Sequence, residues 1–83
     1  MDIEHLVKMV NEISMFFESE AGPNAPKEVS SHLRKFWEPR MRAQIIAHYQ
    51  RGGGGMDDIA RDAVAILAEN NTPKAEPPGG DAG

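Results

Sequence analysis

Three histidines, His5, His32 and His48, are the side chains of this 83-residue sequence best suited to bind a metal. A metal site on one helix would need a second His, Asp or Glu three or four residues away on the same inward face. None of the three has such an inward partner, and the local pairs His5–Met9 and His32–Phe36 are not ligand pairs. A metal site would therefore need residues from different helices, and the spacing does not indicate one.

Four consecutive glycines, Gly52 to Gly55, raise the possibility of a phosphate-binding loop. Such a loop needs a Lys and a Ser or Thr after its glycines, whereas Met56, Asp57 and Asp58 follow here. Two carboxylates would repel phosphate, and they suit capping of a helix and its dipole. We interpret the glycines as a flexible joint. No Ser/His/Asp order or pair of inward carboxylates stands out, so we expect no catalysis by this chain alone.

Residues 32–46 hold the only tryptophan and four of the nine Lys and Arg residues. Arg40 and Arg42 lie about 200° apart on a helix, so they cannot read one nucleic-acid groove as a pair. The net charge of −4 also argues against general affinity for nucleic acid, although the basic middle keeps that question open. The residues favour a basic patch that meets an acidic protein surface. Its members are Arg34, Lys35, Arg40 and Arg42.

The apolar residues recur at helical spacing, and no segment has the alternation of a strand. The predicted helices span residues 2–19, 25–37, 39–51 and 57–69. The expected fold class is therefore all-α, a small bundle of about four short helices. Asn24 and Glu38 are the expected caps of the second and third helices, with Pro39 opening the third.

The domain organisation predicted from composition is a helical domain over residues 1–69 and a disordered tail over residues 70–83. The tail contains three prolines and three glycines and no large apolar side chain. A domain this small buries only ~60% of its unfolded surface and is often completed by a partner. There is no cysteine to supplement the core. The acidic start and the absence of a long apolar run lead us to expect a cytoplasmic protein.

One face of the first helix is predicted to enter the core, within an arc of about 120°. Its members are Ile3, Leu6, Val7, Val10, Ile13 and Phe17. Met9 and Phe16 fall outside this arc and lie near each other at i, i+7. They are either a wide core contact or a surface for a partner, and the sequence leaves both open.

The corner between the second and third helices supplies the other predicted partner-binding residues. With Val29 and Leu33 facing inward, Phe36 lies in the middle of the apolar stripe and Trp37 at its rim. We therefore expect Phe36 in the core and Trp37 at an interface. Arg40 should contact the partner, and Arg42, inside an apolar arc, should hold the corner beside it. The predicted partner-binding residues are Met9, Phe16, Trp37, Arg40 and Arg42.

Three stretches together carry a resemblance to a known family. They are residues 6–9 with Asn11, Ile13, Phe16 and Phe17, then residues 32–42 (HLRKFWEPRMR), and then the glycine run with the short helix after it. Over about residues 4–68, the sequence resembles the delta subunit of NAD-dependent formate dehydrogenase. The string FWEPRMR is specific for its length, and Glu38 stands in it where the family more often has Asp.

The resemblance implies a non-catalytic accessory subunit of a soluble bacterial formate dehydrogenase. In such complexes the alpha subunit holds a molybdenum or tungsten pterin cofactor and iron–sulfur clusters. The beta and gamma subunits carry FMN and further clusters and pass electrons to NAD. The implied task is binding of the large alpha subunit, for its stability or for its assembly. The alternative from the residues alone is a free-standing helical adaptor or a nucleic-acid-binding module.

Overall fold

A computed structural model describes residues 2–71, and the helices account for most of them. The α-helices α1, α2, α3 and α4 span Ile3–Ala21, Ala25–Phe36, Pro39–Gln50 and Asp58–Asn71, with a 3-10 turn over Gly22–Asn24. The all-α fold class is confirmed, and the helices begin and end within two residues of the predicted positions. Residues 70 and 71 of the predicted tail (70–83) belong to α4, and the rest of that tail lies outside the described residues. None of the helices in residues 2–71 is long and apolar enough to cross a membrane.

A single core draws on all four helices, and the most extensive helix contact joins α2 to α4. Leu6 and Val10 of α1 are fully buried, and the other four predicted inward residues of α1 are partly buried against the same core. The inward face of α1 is therefore confirmed. The buried hydrophobic residues of the core cluster are Leu6, Val10, Val29, Leu33, Trp37, Ile45, Met56, Ala60, Ala63, Val64 and Leu67.

The expected caps at Asn24 and Glu38 are wrong, since neither side chain makes a capping hydrogen bond. Asn24 ends the 3-10 turn at φ −87°, ψ 2°, and so lacks the extended backbone that points a cap side chain at the free N–H groups. Glu38 has that backbone, but its side chain is a poor length for the task. Capping at α4 is confirmed, because Asp57 Oδ1 accepts from the Ala60 N–H at 2.7 Å.

The glycine segment follows a hydrogen-bonded turn between α3 and α4. Gly52, Gly53 and Gly55 have φ values of 119°, 64° and 83°, which side-chain-bearing residues rarely adopt. The Gly53 N–H donates to the His48 carbonyl at 3.0 Å, and His48 Nε2 lies 2.8 Å from the Gly54 carbonyl oxygen. The segment therefore turns the chain tightly between α3 and α4.

Side chains of α1 hold the end of this turn in what we call the α1 clamp, formed by Asn11, Ser14, Gly55 and Asp57. Asn11 Nδ2 donates to the Gly55 carbonyl at 2.8 Å, and Asn11 Oδ1 accepts from the Asp57 N–H at 2.9 Å. The buried Ser14 hydroxyl donates to Asp57 Oδ1 at 2.8 Å. The clamp therefore fixes the start of α4 on the middle of α1.

The corner between α2 and α3 reverses the expected places of its two aromatic residues. Trp37 is only 5% exposed and belongs to the core, whereas Phe36 is 71% exposed. The Trp37 N–H still donates to the Leu33 carbonyl at 2.9 Å, so the Trp37 side chain continues the helical turn, about 100° from Phe36. Arg42 Nη1 donates to the Trp37 carbonyl and, at 3.3 Å, to the Arg34 carbonyl. Arg42 therefore ties α3 to the end of α2, as expected.

Candidate partner-binding surface

Large apolar side chains remain exposed on α1 and α2 although the domain is small. Met15, Phe16 and Phe36 are 65%, 59% and 71% exposed. Single exposed apolar residues are common, but a contiguous apolar patch with a polar rim is typical of a binding site. The question is therefore whether these side chains form one surface.

Four rings form a continuous row across the two helices, which we call the aromatic ribbon. It runs from Phe16 through Phe17 and His32 to Phe36. The ring centroids of Phe16 and Phe17 lie 5.0 Å apart in an edge-to-face arrangement, and those of Phe17 and His32 lie 5.9 Å apart. The His32 and Phe36 centroids are 4.8 Å apart. These separations are typical of favourable aromatic pairs, so the rings support one another's positions.

The helix packing explains why the ribbon forms where it does. Phe17 is partly buried at the edge of the core, and α1 lies directly against α2 there. His32 and Phe36 are four residues apart on α2, which places their side chains one above the other on one face. The core therefore holds the middle of the ribbon and leaves its two ends, Phe16 and Phe36, to solvent.

A groove of about 370 Å³ lies along the α1 half of the ribbon. Its lining is mainly apolar and aromatic, with one charged residue, Glu12. A groove of this composition suits a ligand with an apolar surface, and one polar contact would fix the orientation of that ligand. The lining residues are Met9, Glu12, Ile13, Phe16, Phe17 and His32.

The predicted partner-binding residues divide between two parts of the molecule. Met9 and Phe16 come together in the groove, which places them on one surface. Trp37 and Arg42 lie together at the α2–α3 corner, where Trp37 is buried and offers little free surface. Arg40 is exposed on α3. Phe36, and not Trp37, is the exposed aromatic side chain at this corner.

Sequence reasoning missed Glu12, His32 and Phe36 as members of this surface. The available signal was the i, i+4 pair of His32 and Phe36 beside an aromatic pair on the preceding helix. These two side chains are not a metal-ligand pair, and the structure shows their rings in contact, tilted by 43°. The ring contact between helices, Phe17 with His32, depends on which faces pack, and residue spacing within one helix does not specify that.

The histidines have three separate surroundings in the structure. His5 is exposed on α1, His32 is in the ribbon, and His48 lies against the glycine turn. Among residues 2–71, no group of three or more His, Cys, Asp or Glu side chains is placed to hold a metal ion.

Comparison with protein families gives one match, to the NADH-dependent formate dehydrogenase delta subunit family, FdsD, over residues 5–64. The chain belongs to the FdsD family. The matched region runs from the first turn of α1 into α4, and it includes the groove, the ribbon, the corner and the glycine turn. Searches of curated proteins and of solved structures gave no match for this FdsD-family chain.

Proposed function

We propose that the chain is a non-catalytic accessory subunit of an NAD-dependent formate dehydrogenase complex, and that it binds the large catalytic subunit. Family membership places it among the delta subunits of such complexes. The observation that favours a binding role is a row of aromatic rings whose two ends, Phe16 and Phe36, are exposed on a domain of this size. Aromatic side chains of this kind are enriched where proteins bind one another.

The chemistry of the complex is assigned to the other subunits. We expect them to carry the molybdenum or tungsten pterin cofactor, the iron–sulfur clusters, FMN and the NAD site. This chain has no cysteine, and residues 2–71 contain no converging set of metal-ligating side chains. A cytoplasmic location of the complex belongs to the same proposal.

The test is to express the formate dehydrogenase subunits with and without this chain. We expect the tagged chain to recover the large subunit, and we expect the isolated chain to oxidise no formate. Without the chain, the yield of complex with formate:NAD activity should fall. Failure to recover any large oxidoreductase subunit, particularly with nucleic acid recovered instead, would contradict the proposal and favour the adaptor alternative.

The same preparation separates a stabilising role from an assembly role. Metal and pterin are measured in large subunit that was produced without this chain. If the chain acts in cofactor loading, that subunit should lack the metal–pterin cofactor. If the chain only stabilises, the subunit should be loaded but should melt at a lower temperature, because a bound partner stabilises the folded state.

A further inference from the structure

We infer that the groove along α1 and α2 receives an apolar helix of the large subunit, and that this helix carries a lysine or arginine that pairs with Glu12. The inference rests on the proposed function and specifies its contact surface. Three observations on the described residues support it. They are the dimensions of the groove, the position of its one charged residue, and the poor fit of a second copy or of the remaining segment of this chain.

The dimensions of the groove fit two turns of a helix. The α1 wall runs from Met9 to Phe16, which is about 10 Å along the helix axis. The α2 wall is His32, and Phe36 extends the apolar surface by one further turn beyond the groove. A helix laid in such a groove contacts it through apolar residues at i, i+3 or i+4, and i+7. The surface therefore favours a short amphipathic helix as the occupant.

Glu12 determines the polar contact within this apolar site. It is exposed and stands between Met9 and Phe16 on the α1 wall. Burial of an unpaired carboxylate under a partner would be costly, so an occupant should supply a cation at this point. The surrounding helix has the same sign, because α1 carries one lysine against four glutamates. A basic residue on the incoming helix is therefore the complementary choice.

A second copy of this chain is a poor occupant of the groove. A two-fold symmetric dimer would place the same acidic α1 face on both sides of the interface. The interface would then hold the Glu12 carboxylates of both copies, and the groove lining has no lysine or arginine to pair with them.

The remaining segment of this chain is also a poor occupant. Residues 72–83, TPKAEPPGGDAG, have no Leu, Ile, Val, Met or aromatic side chain to fill an apolar groove. They also contain three prolines, which disfavour a helix. The large subunit is therefore the source of the helix in this inference.

The experiment measures binding of the full-length chain to purified large subunit. We expect Phe16→Glu and Glu12→Lys each to raise the Kd about tenfold or more, as for central interface residues. Each variant has a matched control on the same helix. Met15→Glu is the control for Phe16→Glu, because Met15 is exposed and apolar but lies outside the groove lining. Glu18→Lys is the control for Glu12→Lys, because Glu18 is exposed and lies beside Asp57, away from the groove. The controls should change the Kd less than about threefold, and all four variants should keep their helicity and melting temperature.

The chemistry of the occupant is tested with a photo-cross-linking residue at position 16. The labelled peptide of the large subunit should have apolar residues at helical spacing and a Lys or Arg among them. Reversal of that basic charge should restore binding to Glu12→Lys. A labelled segment without a basic residue, or one rich in proline, would overturn the inference.

Other outcomes separate the inference from the proposed function. Phe16→Glu and Glu12→Lys could bind as tightly as the wild type while Arg40→Glu loses binding. That result would place the interface at the basic corner and overturn the inference alone. A chain that sediments as a dimer and is dissociated by Phe16→Glu would assign the groove to a second copy. Absence of binding by the wild-type chain would overturn the proposed function as well.

Discussion

Trp37 and Phe36 are adjacent, yet one is buried and the other exposed, because successive residues of a helix point about 100° apart. Phe36 is the last helical residue, and its ring stays on the outer face with His32. The Trp37 N–H still donates to the Leu33 carbonyl, and the indole enters the core. Pro39 favours the extended backbone of Glu38, because proline disfavours helical backbone at the residue before it. At this corner Trp37 therefore packs in the core, and Phe36 stays on the surface.

These environments predict that alanine substitutions of Trp37 and Phe36 have very different effects on the free energy of unfolding. Trp37→Ala should lower the free energy of unfolding by ~3 kcal/mol or more, since it removes a large side chain from the core. Phe36→Ala should change it by about 0.5 kcal/mol or less, as for most exposed positions. Urea unfolding followed by circular dichroism measures both. If the Phe36 variant unfolds and the Trp37 variant keeps its stability, this assignment is contradicted.

The apolar residues of α2 predicted only part of its buried face. Val29 and Leu33 are buried as expected. Ser30 is also buried, which moves the centre of the buried face toward Trp37 and away from Phe36. A periodicity argument gives a serine little weight, and it therefore places the centre of the buried face too close to Phe36. The position of the corner was predictable, but the direction of its rings was not.

At the scale of the elements, the α1 clamp connects α1 to the end of the glycine turn and the start of α4, which lie far from it in the sequence. Asn11 and Ser14 are more than forty residues from the groups they bind. The sequence indicated that Asp57 would cap α4, since that function depends only on local spacing. It did not indicate the α1 partners, because both are common polar residues on a long helix and no pattern pairs them with a distant turn.

The clamp predicts a clear difference between the neighbouring residues Asp57 and Asp58. Asp57→Ala should destabilise the chain by about 2 kcal/mol, since it removes a cap and leaves the buried Ser14 hydroxyl without its acceptor. Asp58→Ala, at an exposed first-turn position, should cost only a few tenths of a kcal/mol. Asp57→Asn should recover most of the loss because it keeps an acceptor oxygen. Thermal melts of the three variants measure this, and equal effects at both positions would contradict the clamp.

At the scale of the whole molecule, the domain combines a small core with an aromatic ribbon that is exposed at its ends. The radius of gyration is 13.0 Å, and the core relies on small residues such as Ala60 and Ala63 in α4. Such a domain has little stability to spare. Composition predicted this marginal core from the sequence, but it could not place the uncovered rings. A partner that binds only the folded chain would add stability without any change in the core.

The last prediction follows from this coupling of binding to folding. At a free large-subunit concentration of 100 times the Kd, the chain should gain about 2.7 kcal/mol of stability. For a domain of this size that raises the melting temperature by roughly 10–20 °C. Hydrogen exchange of the chain, alone and in the complex, measures the gain through the slowest-exchanging amides of the core helices. Glu12→Lys is the matched control, because it should keep the stability of the free chain and, with a Kd about tenfold higher or more, lose about half of the gain or more at the same subunit concentration. If the complex forms and these amides exchange as fast as in the free chain, the partner does not bind the folded domain selectively.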